Sequence, residues 1–179
     1  QVIYYTGIRP KETLALKVDD IDLKERFITI APDLEEENSK TKTIRKVPIN
    51  RHLFKLLNKM GLDQFPGHYY TFGSPFTKKG NKRGKPIKSD EGLPRYGVMR
   101  QDYFTPYPNR VKRDTITKLW KTLVMDPPPT GLGINKHLYG NKYSGADDMV
   151  EAGLDLKEVQ FLYGHESPAM TARYNKKKK

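Results

Sequence analysis

The sequence predicts an α+β fold that is mainly α-helical and carries a small three-stranded antiparallel sheet. Three observations predict this class: helix signals recur along most of the chain, two β-rich runs lie in its first third, and a long polar segment separates those two runs. The length of 179 residues suits one domain with one sizeable core. No internal repeat interrupts this pattern.

The first half of the chain supplies the predicted sheet. A first short helix should begin near Pro10, because Thr6-Gly7 precedes it and Glu12 lies in its first turn, where a carboxylate suits the helix dipole. Further along, apolar residues at helical spacing predict a helix, and runs rich in β-branched and aromatic residues predict strands. These elements are strands at 26–30 and 43–49, a helix at 51–60, and a third short strand at 69–72.

The second half is predicted to be helical after one irregular segment. Residues 78–100 are rich in Gly, Pro, Lys and Arg and lack apolar periodicity, which predicts a flexible, exposed basic loop. An apolar stripe from Ile116 to Val124 then predicts an amphipathic helix over about 109–125. The remaining predicted helices are 138–152, closed by Gly153; one that Asp155 and Glu158 begin as a capping box and Gly164 ends; and a last one begun by Ser167-Pro168.

The composition favours a polyanionic partner. The chain has 33 Lys and Arg against 21 Asp and Glu, a net charge of +12, and nucleic acid is the commonest partner of such a surface. The absence of cysteine excludes a disulfide framework, thiolate metal ligation and thiol catalysis. No apolar run is long enough for a membrane span, so no membrane partner is expected. Charge alone leaves a generic RNA-binding protein open.

Four blocks carry a family resemblance: "YTGIRPKETLAL", "SKTKTIRKVPI", "EAGLDLKEVQFLYGHES" and "MTARY". In their order and separations they resemble the catalytic domain of the tyrosine recombinases, the phage-integrase family, over nearly the whole chain. The resemblance implies the fold of that domain and site-specific DNA recombination that uses neither metal nor cofactor. A tyrosine would attack the DNA phosphodiester and leave a 3′-phosphotyrosyl link and a free 5′ hydroxyl.

The resemblance also implies the surroundings of the chain. Because it begins with Gln1 directly before an apolar run, we expect residues 1–179 to be the C-terminal catalytic domain of a longer protein with a separate N-terminal core-binding domain. The implied partner is double-stranded DNA. The full-length protein would act as a homotetramer on DNA, whereas this fragment would be a monomer, and a cytoplasmic, nucleoid-associated protein of bacterial or phage origin is implied.

Cleavage of a phosphodiester without a metal requires cations that neutralise the charge developing at phosphorus, and guanidinium groups do so with two parallel hydrogen bonds. Arg9 matches the first arginine of the family, and Glu12 resembles the acidic residue that supports the site. Without the other blocks, Arg9 would be interpreted as a surface arginine paired with Glu12.

The leaving 5′ oxygen needs a proton, which a lysine on a hairpin can supply as general acid. Lys40 holds the corresponding family position in "SKTKTIRKVP". Lys42 lies so close in sequence that the choice between the two stays open. The alternative interpretation of Lys42 is a solvated charge.

The third block departs from the family pattern. Where the family shows His-x-x-Arg, counting back from "EAG" gives Tyr139 in place of the histidine and Lys142 in place of the second arginine, with His137 nearby but out of register. A lysine keeps the positive charge but loses the planar fork, so transition-state stabilisation should weaken. Alternatively, Lys142 only contacts a DNA phosphate.

The last block supplies the remaining two catalytic residues. His165 resembles the histidine that hydrogen-bonds a nonbridging phosphate oxygen, and Tyr174 is then the nucleophile. A free phenol has a pKa of about 10, so it must lose its proton as it attacks, and a cationic site lowers the cost of the phenolate.

DNA contacts should be mostly electrostatic, through phosphates. Two alternatives to recombination use the same fold: a cleavage-dead DNA-binding module, which the substitutions at Tyr139 and Lys142 suggest, and a type IB topoisomerase-like activity. The residues expected to contact DNA are Lys42, Arg45, Arg110, Lys112, Arg113 and Lys118.

Overall fold

The structure is a computed structural model that describes residues 1–32, 44–74, 76–79, 82–86, 105–112 and 114–163. Within these residues the predicted class is confirmed, since helices dominate and one three-stranded antiparallel sheet is present. No helix in these ranges is both long and apolar enough to cross a membrane.

Two short helices open the chain, α1 (Val2–Thr6) and α2 (Pro10–Ala15). Gly7 separates them with φ 63°, a left-handed conformation that favours glycine, and its N–H donates to the carbonyl of Ile3 at 3.0 Å. Pro10 occupies the first turn of α2 and Glu12 is its acidic first-turn residue. The predicted helix start is therefore confirmed.

The three-stranded sheet contains β1 (Ile21–Asp22), β2 (Phe27–Ile30) and β3 (Arg45–Pro48) in that order. The strands predicted at 26–30 and 43–49 are confirmed as β2 and β3, whose register pairs Ile28 with Val47. The third strand predicted at 69–72 is wrong, because Tyr70 forms only isolated bridges. Instead β1 pairs with β2 through a short turn, and a short connection costs little entropy to close.

The main core lies between this sheet and α3 (Arg51–Lys59), which confirms the helix predicted at 51–60. Asn50 caps the helix, since its Oδ1 accepts the N–H of Leu53 at 2.9 Å. Leu53 and Leu57 point inward from α3 and are fully buried, as is Ile28 of β2. The sheet is thereby fixed, and β3 becomes a rigid support for its side chains.

The segment predicted as a basic loop at 78–100 begins differently. Strand β5 (Phe76–Lys79) pairs with β6 (Lys82–Pro86) as an antiparallel hairpin, so the loop prediction is wrong for this part. Lysines and arginines occupy paired positions in it, so the apolar alternation that marks a strand is missing from the sequence. Residues 87–100 lie outside the described residues.

The helix predicted over 109–125 is shorter than expected. Residues Asn109–Arg110 form β7, which pairs with β4 (Gly73–Ser74), and α4 spans only Thr115–Trp120 before a π-helical turn at Lys121–Met125. The apolar stripe starts only at Ile116, so the stretch from residue 109 to 115 contains basic residues but lacks the apolar spacing of a helix. Neither Thr115–Trp120 nor Lys121–Met125 contains a buried residue.

Helices α5 (Gly140–Glu151) and α6 (Leu156–Tyr163) agree with the predicted pair. Gly153 follows α5 with φ 101°, as expected for a residue just past a helix end. The predicted capping box is confirmed, because Asp155 N–H donates to Glu158 Oε2 at 2.8 Å and Glu158 N–H donates to Asp155 Oδ1 at 2.8 Å. Gly164 and the helix predicted after Ser167-Pro168 lie outside the described residues.

Candidate active site

Arg9 stands at the N-terminus of α2, where its extended backbone (φ −73°, ψ 149°) turns the chain into the helix. Glu12 lies one turn later and makes two contacts to it. Oε1 of Glu12 lies 2.8 Å from Nη1 of Arg9, and Oε2 accepts the Arg9 backbone N–H at 2.6 Å. One carboxylate thus caps the helix and holds the guanidinium; the Arg9 side chain is 30% exposed and that of Glu12 is 9% exposed.

Arg45 reaches the same carboxylate from β3. Its Nη1 and Nη2 donate to Oε1 and Oε2 of Glu12 at 3.2 and 3.0 Å, a parallel two-bond pair, and the side chain is only 19% exposed. Sequence reasoning assigned Arg45 to DNA and missed this contact. A signal was present: Arg45 lies two positions before buried Val47, and alternate residues of a strand share one face.

Lys142 completes the cationic cluster from α5. The residue is 2% exposed. Its pKa falls from 10.5 to about 8, chiefly because burial disfavours the ammonium and then because of the nearby Arg9 guanidinium; Glu12 opposes this effect and Arg45 adds to it. The structure therefore places Lys142 within electrostatic reach of Arg9, Glu12 and Arg45, although the sequence separates it widely from all three.

Tyr163, the last residue of α6, lies against Lys142. The Nζ of Lys142 is 5.5 Å from the centroid of the Tyr163 ring. The Tyr163 hydroxyl donates to the carbonyl of Tyr4 at 3.0 Å, which ties α6 to α1. No local sequence pattern distinguishes Tyr163 from the other tyrosines of the chain.

Tyr139 precedes α5 at the edge of this cluster. Its ring centroid is 5.5 Å from that of Tyr143, and it is 39% exposed. Burial raises its pKa most; Tyr143 also raises it, Arg9 lowers it and Glu12 raises it. Tyr139 is thus within electrostatic reach of Arg9, next to the site, whereas His137 is exposed.

Among the residues expected to contact DNA, those that the structure describes differ in their burial and contacts. Arg110 is half-buried, and its Nη2 donates to the carbonyl of Lys11 at 3.3 Å. Lys112 and Lys118 are exposed. Lys40, Lys42, Arg113, His165 and Tyr174 lie outside the described residues, so their assignments stay predictions.

The assembled cluster carries a net positive charge. Two guanidinium groups bind one carboxylate and the Lys142 amine lies within electrostatic reach of them, so a positive charge is left over even when this amine is neutral. Such a cluster can bind a phosphate and stabilise added negative charge on it. Among the described residues, no group of three or more carboxylate or imidazole side chains could hold a metal ion.

Comparisons with solved structures establish the fold. The XerA recombinase is 22% identical, with a TM-score of 0.59 over 97% of this chain and 49% of that one. The Tn1549 transposon integrase, in complex with a circular intermediate DNA, is 16% identical, with a TM-score of 0.54 over 97% and 51%. The integrase from mycobacterium phage Brujita is 16% identical, with a TM-score of 0.52 over 96% and 44%.

The chain therefore spans about half the length of the solved structures it resembles. No curated protein sequence matches it. The family comparison is decisive, because the model of the phage integrase family matches residues 1–179. This protein belongs to the phage integrase family.

Proposed function

We propose that this chain is the catalytic part of a site-specific DNA recombinase, which cuts and rejoins DNA through a covalent phosphotyrosyl intermediate. The observation that carries the proposal is the pairing of Arg9 and Arg45 with Glu12, with Lys142 of α5 within electrostatic reach of all three. Family membership supports it, and so does the similarity in fold to the Tn1549 transposon integrase, whose structure is a complex with a circular intermediate DNA.

In this mechanism Arg9 and Lys142 bind the nonbridging oxygens of the scissile phosphate. Glu12 holds the Arg9 guanidinium in place, and Arg45 holds Glu12. Negative charge grows on these oxygens as phosphorus becomes five-coordinate, so cations already fixed there lower the barrier. Because Glu12 sets the position of the Arg9 guanidinium before DNA arrives, this group needs little reorganisation in the transition state.

The covalent step assigns the remaining residues. The Tyr174 phenol releases its proton to solvent as its oxygen attacks phosphorus, the phosphorus bond to the 5′ oxygen breaks, and Lys40 (or Lys42) protonates that leaving oxygen. His165 donates a hydrogen bond to a nonbridging oxygen. One phosphodiester is exchanged for another, so the strand can be rejoined by the reverse attack of a 5′ hydroxyl without an external energy source.

Binding to double-stranded DNA is assigned to the basic surface. The exposed Lys112 and Lys118 are the described candidates for phosphate contacts, with Arg113 and Lys42 as further ones. Arg110 is tied to the Lys11 carbonyl and has a smaller share. In the full-length protein we propose a homotetramer on two duplexes.

Trapping on a nicked suicide substrate tests the function. The full-length protein that contains this chain should form a covalent adduct with DNA, and Tyr174→Phe should abolish it. Tyr69→Phe, a change outside the site, is the matched control and should leave the adduct unchanged. A Tyr174→Phe protein that still forms the wild-type amount of adduct would refute the assignment of the nucleophile.

A second candidate is a cleavage-dead DNA-binding module, favoured by a lysine at position 142 that is buried and has a lowered pKa. That module would bind DNA without an adduct, and Lys142→Arg would restore cleavage. Relaxation of supercoiled plasmid without a specific site would instead indicate topoisomerase-like activity.

A further inference from the structure

The Tyr163 ring of α6 packs against α1 and α5. It is 1% exposed, and its hydroxyl donates to the Tyr4 carbonyl at 3.0 Å. A Cβ atom at Gly7 would clash with the ring, and one at Gly145 would clash with the hydroxyl and with the Tyr4 carbonyl. Glycine at both positions therefore makes room for this ring.

Lys142 approaches the ring inside the protein. Its Nζ is 5.5 Å from the ring centroid, and only 2% of the residue is exposed. Lys142 and Gly145 are buried on the same face of α5, one turn apart, so both meet Tyr163. A cation near the face of an aromatic ring is attracted to it, and the attraction is strongest where water is excluded.

The other charged groups around Lys142 do not hold its ammonium in one place as the Tyr163 ring does. Arg9 and Arg45 repel the ammonium, and Glu12, which attracts it, is already engaged by both guanidinium groups. An ammonium is a compact charge on a flexible stem, whereas a guanidinium is a rigid fork that sets its own direction. A lysine in this place therefore needs a surface that fixes where its charge lies.

We propose that Tyr163 is a positioning residue of the recombination site, and that its ring face holds the Lys142 ammonium beside Arg9, in the place where the family pattern has an arginine. The idea rests on the proposed function for its catalytic consequence. The contact itself is a property of the protein alone. It is therefore testable without DNA.

The direct test is an NMR titration of Lys142 in protein labelled with ¹³C at the lysine Cε atoms. The Lys142 signal is the one that disappears in Lys142→Met. Tyr163→Leu removes the ring face that favours the charged form, so the pKa of Lys142 should fall by about one further unit. Tyr163→Phe keeps the ring and should keep the pKa close to that of the wild type.

A second set of variants separates the ring electronics from packing. Phenylalanine at position 163 with successively more fluorine atoms keeps the shape while it weakens the negative potential of the ring face. The pKa of Lys142 should fall stepwise along this series, which also serves if Tyr163→Leu does not fold. The same pKa in the Phe and fluorinated variants would overturn the proposal.

The catalytic arm measures single-turnover adduct formation by the full-length protein. Tyr163→Leu should lower the rate at saturating DNA about tenfold with a much smaller loss of affinity, because a misplaced cation affects the transition state most. Phe161→Leu, on the same helix but 81% exposed, is the control and should affect neither quantity. If wild-type protein forms no adduct, the proposed function fails, and the titration still decides the role of Tyr163.

Discussion

Glu12 pairs with Arg45 through two parallel hydrogen bonds of 3.2 and 3.0 Å while it also holds Arg9 at 2.8 Å. This single carboxylate joins helix α2 to strand β3. Its negative charge also offsets the repulsion between the two guanidinium groups. The geometry of Arg9 therefore depends on Arg45 of β3, which lies 33 residues after Glu12 in the sequence.

Removal of Glu12 should destabilise the protein. Glu12→Ala leaves two partly buried guanidinium groups without a counter-charge, which should lower the free energy of unfolding by about 3 kcal/mol. Urea denaturation measures this value, with Glu151→Ala at an exposed site of α5 as the control. Equal and small losses of stability in the two variants would show that the pairing of Glu12 with the two guanidinium groups does not stabilise the fold.

Arginine at position 142 should change the pH dependence of DNA binding. The pKa of Lys142 is about 8, so in the free protein its charge, and with it part of the phosphate affinity, is lost as the pH rises from about 7 to about 9.5. Lys142→Arg keeps the charge throughout this range, so it should lose less affinity. Fluorescence anisotropy over the range provides the measurement, and parallel curves for both proteins would contradict the prediction.

A neutral residue at position 142 should stabilise the protein near neutral pH. Burial makes the folded protein release the Lys142 proton near pH 8, whereas the unfolded chain keeps it up to about 10.5. Between these values the unfolded chain binds more protons, so the stability of the wild type rises with pH. Lys142→Met should therefore be more stable by a few kcal/mol at about pH 7, with the gain vanishing towards pH 10.5. Thermal denaturation across the range measures it, and a gain that does not depend on pH would count against the buried charge.

The salt dependence of binding should separate phosphate contacts from internal cations. Lys112→Ala and Lys118→Ala should each lower the slope of log affinity against log salt by about one unit, because each removes a phosphate contact. Arg45→Ala should change stability and leave that slope unchanged, because its guanidinium is bound to Glu12. An equal slope change in all three would restore the DNA-binding assignment of Arg45.

The sequence predicted most elements whose signals are local. The start of α2, the helix α3 and the capping box of α6 follow from neighbouring residues, and the structure confirms them. The predictions of a strand at 69–72 and of a long helix at 109–125 were wrong. Pairing with residues distant in the sequence determines the structure of these segments, and no local pattern shows such pairing. β-Propensity depends on such context more than helix propensity does.

The prediction of the site from the sequence has the same limit. Arg9, Glu12 and Lys142 were recognisable from motif positions, and the structure brings them together. Arg45 was assigned to DNA although its strand face argued for an inward position. Tyr163 has no local signal at all, since its importance comes from contacts with residues near the other end of the chain.

The bond from Tyr163 to the Tyr4 carbonyl joins residues separated by 159 positions. Because the chain is synthesised from its N-terminus, Arg9 and Glu12 exist before helices α5 and α6 do. The packing of Lys142 against Tyr163 can therefore form only after α6 has been synthesised.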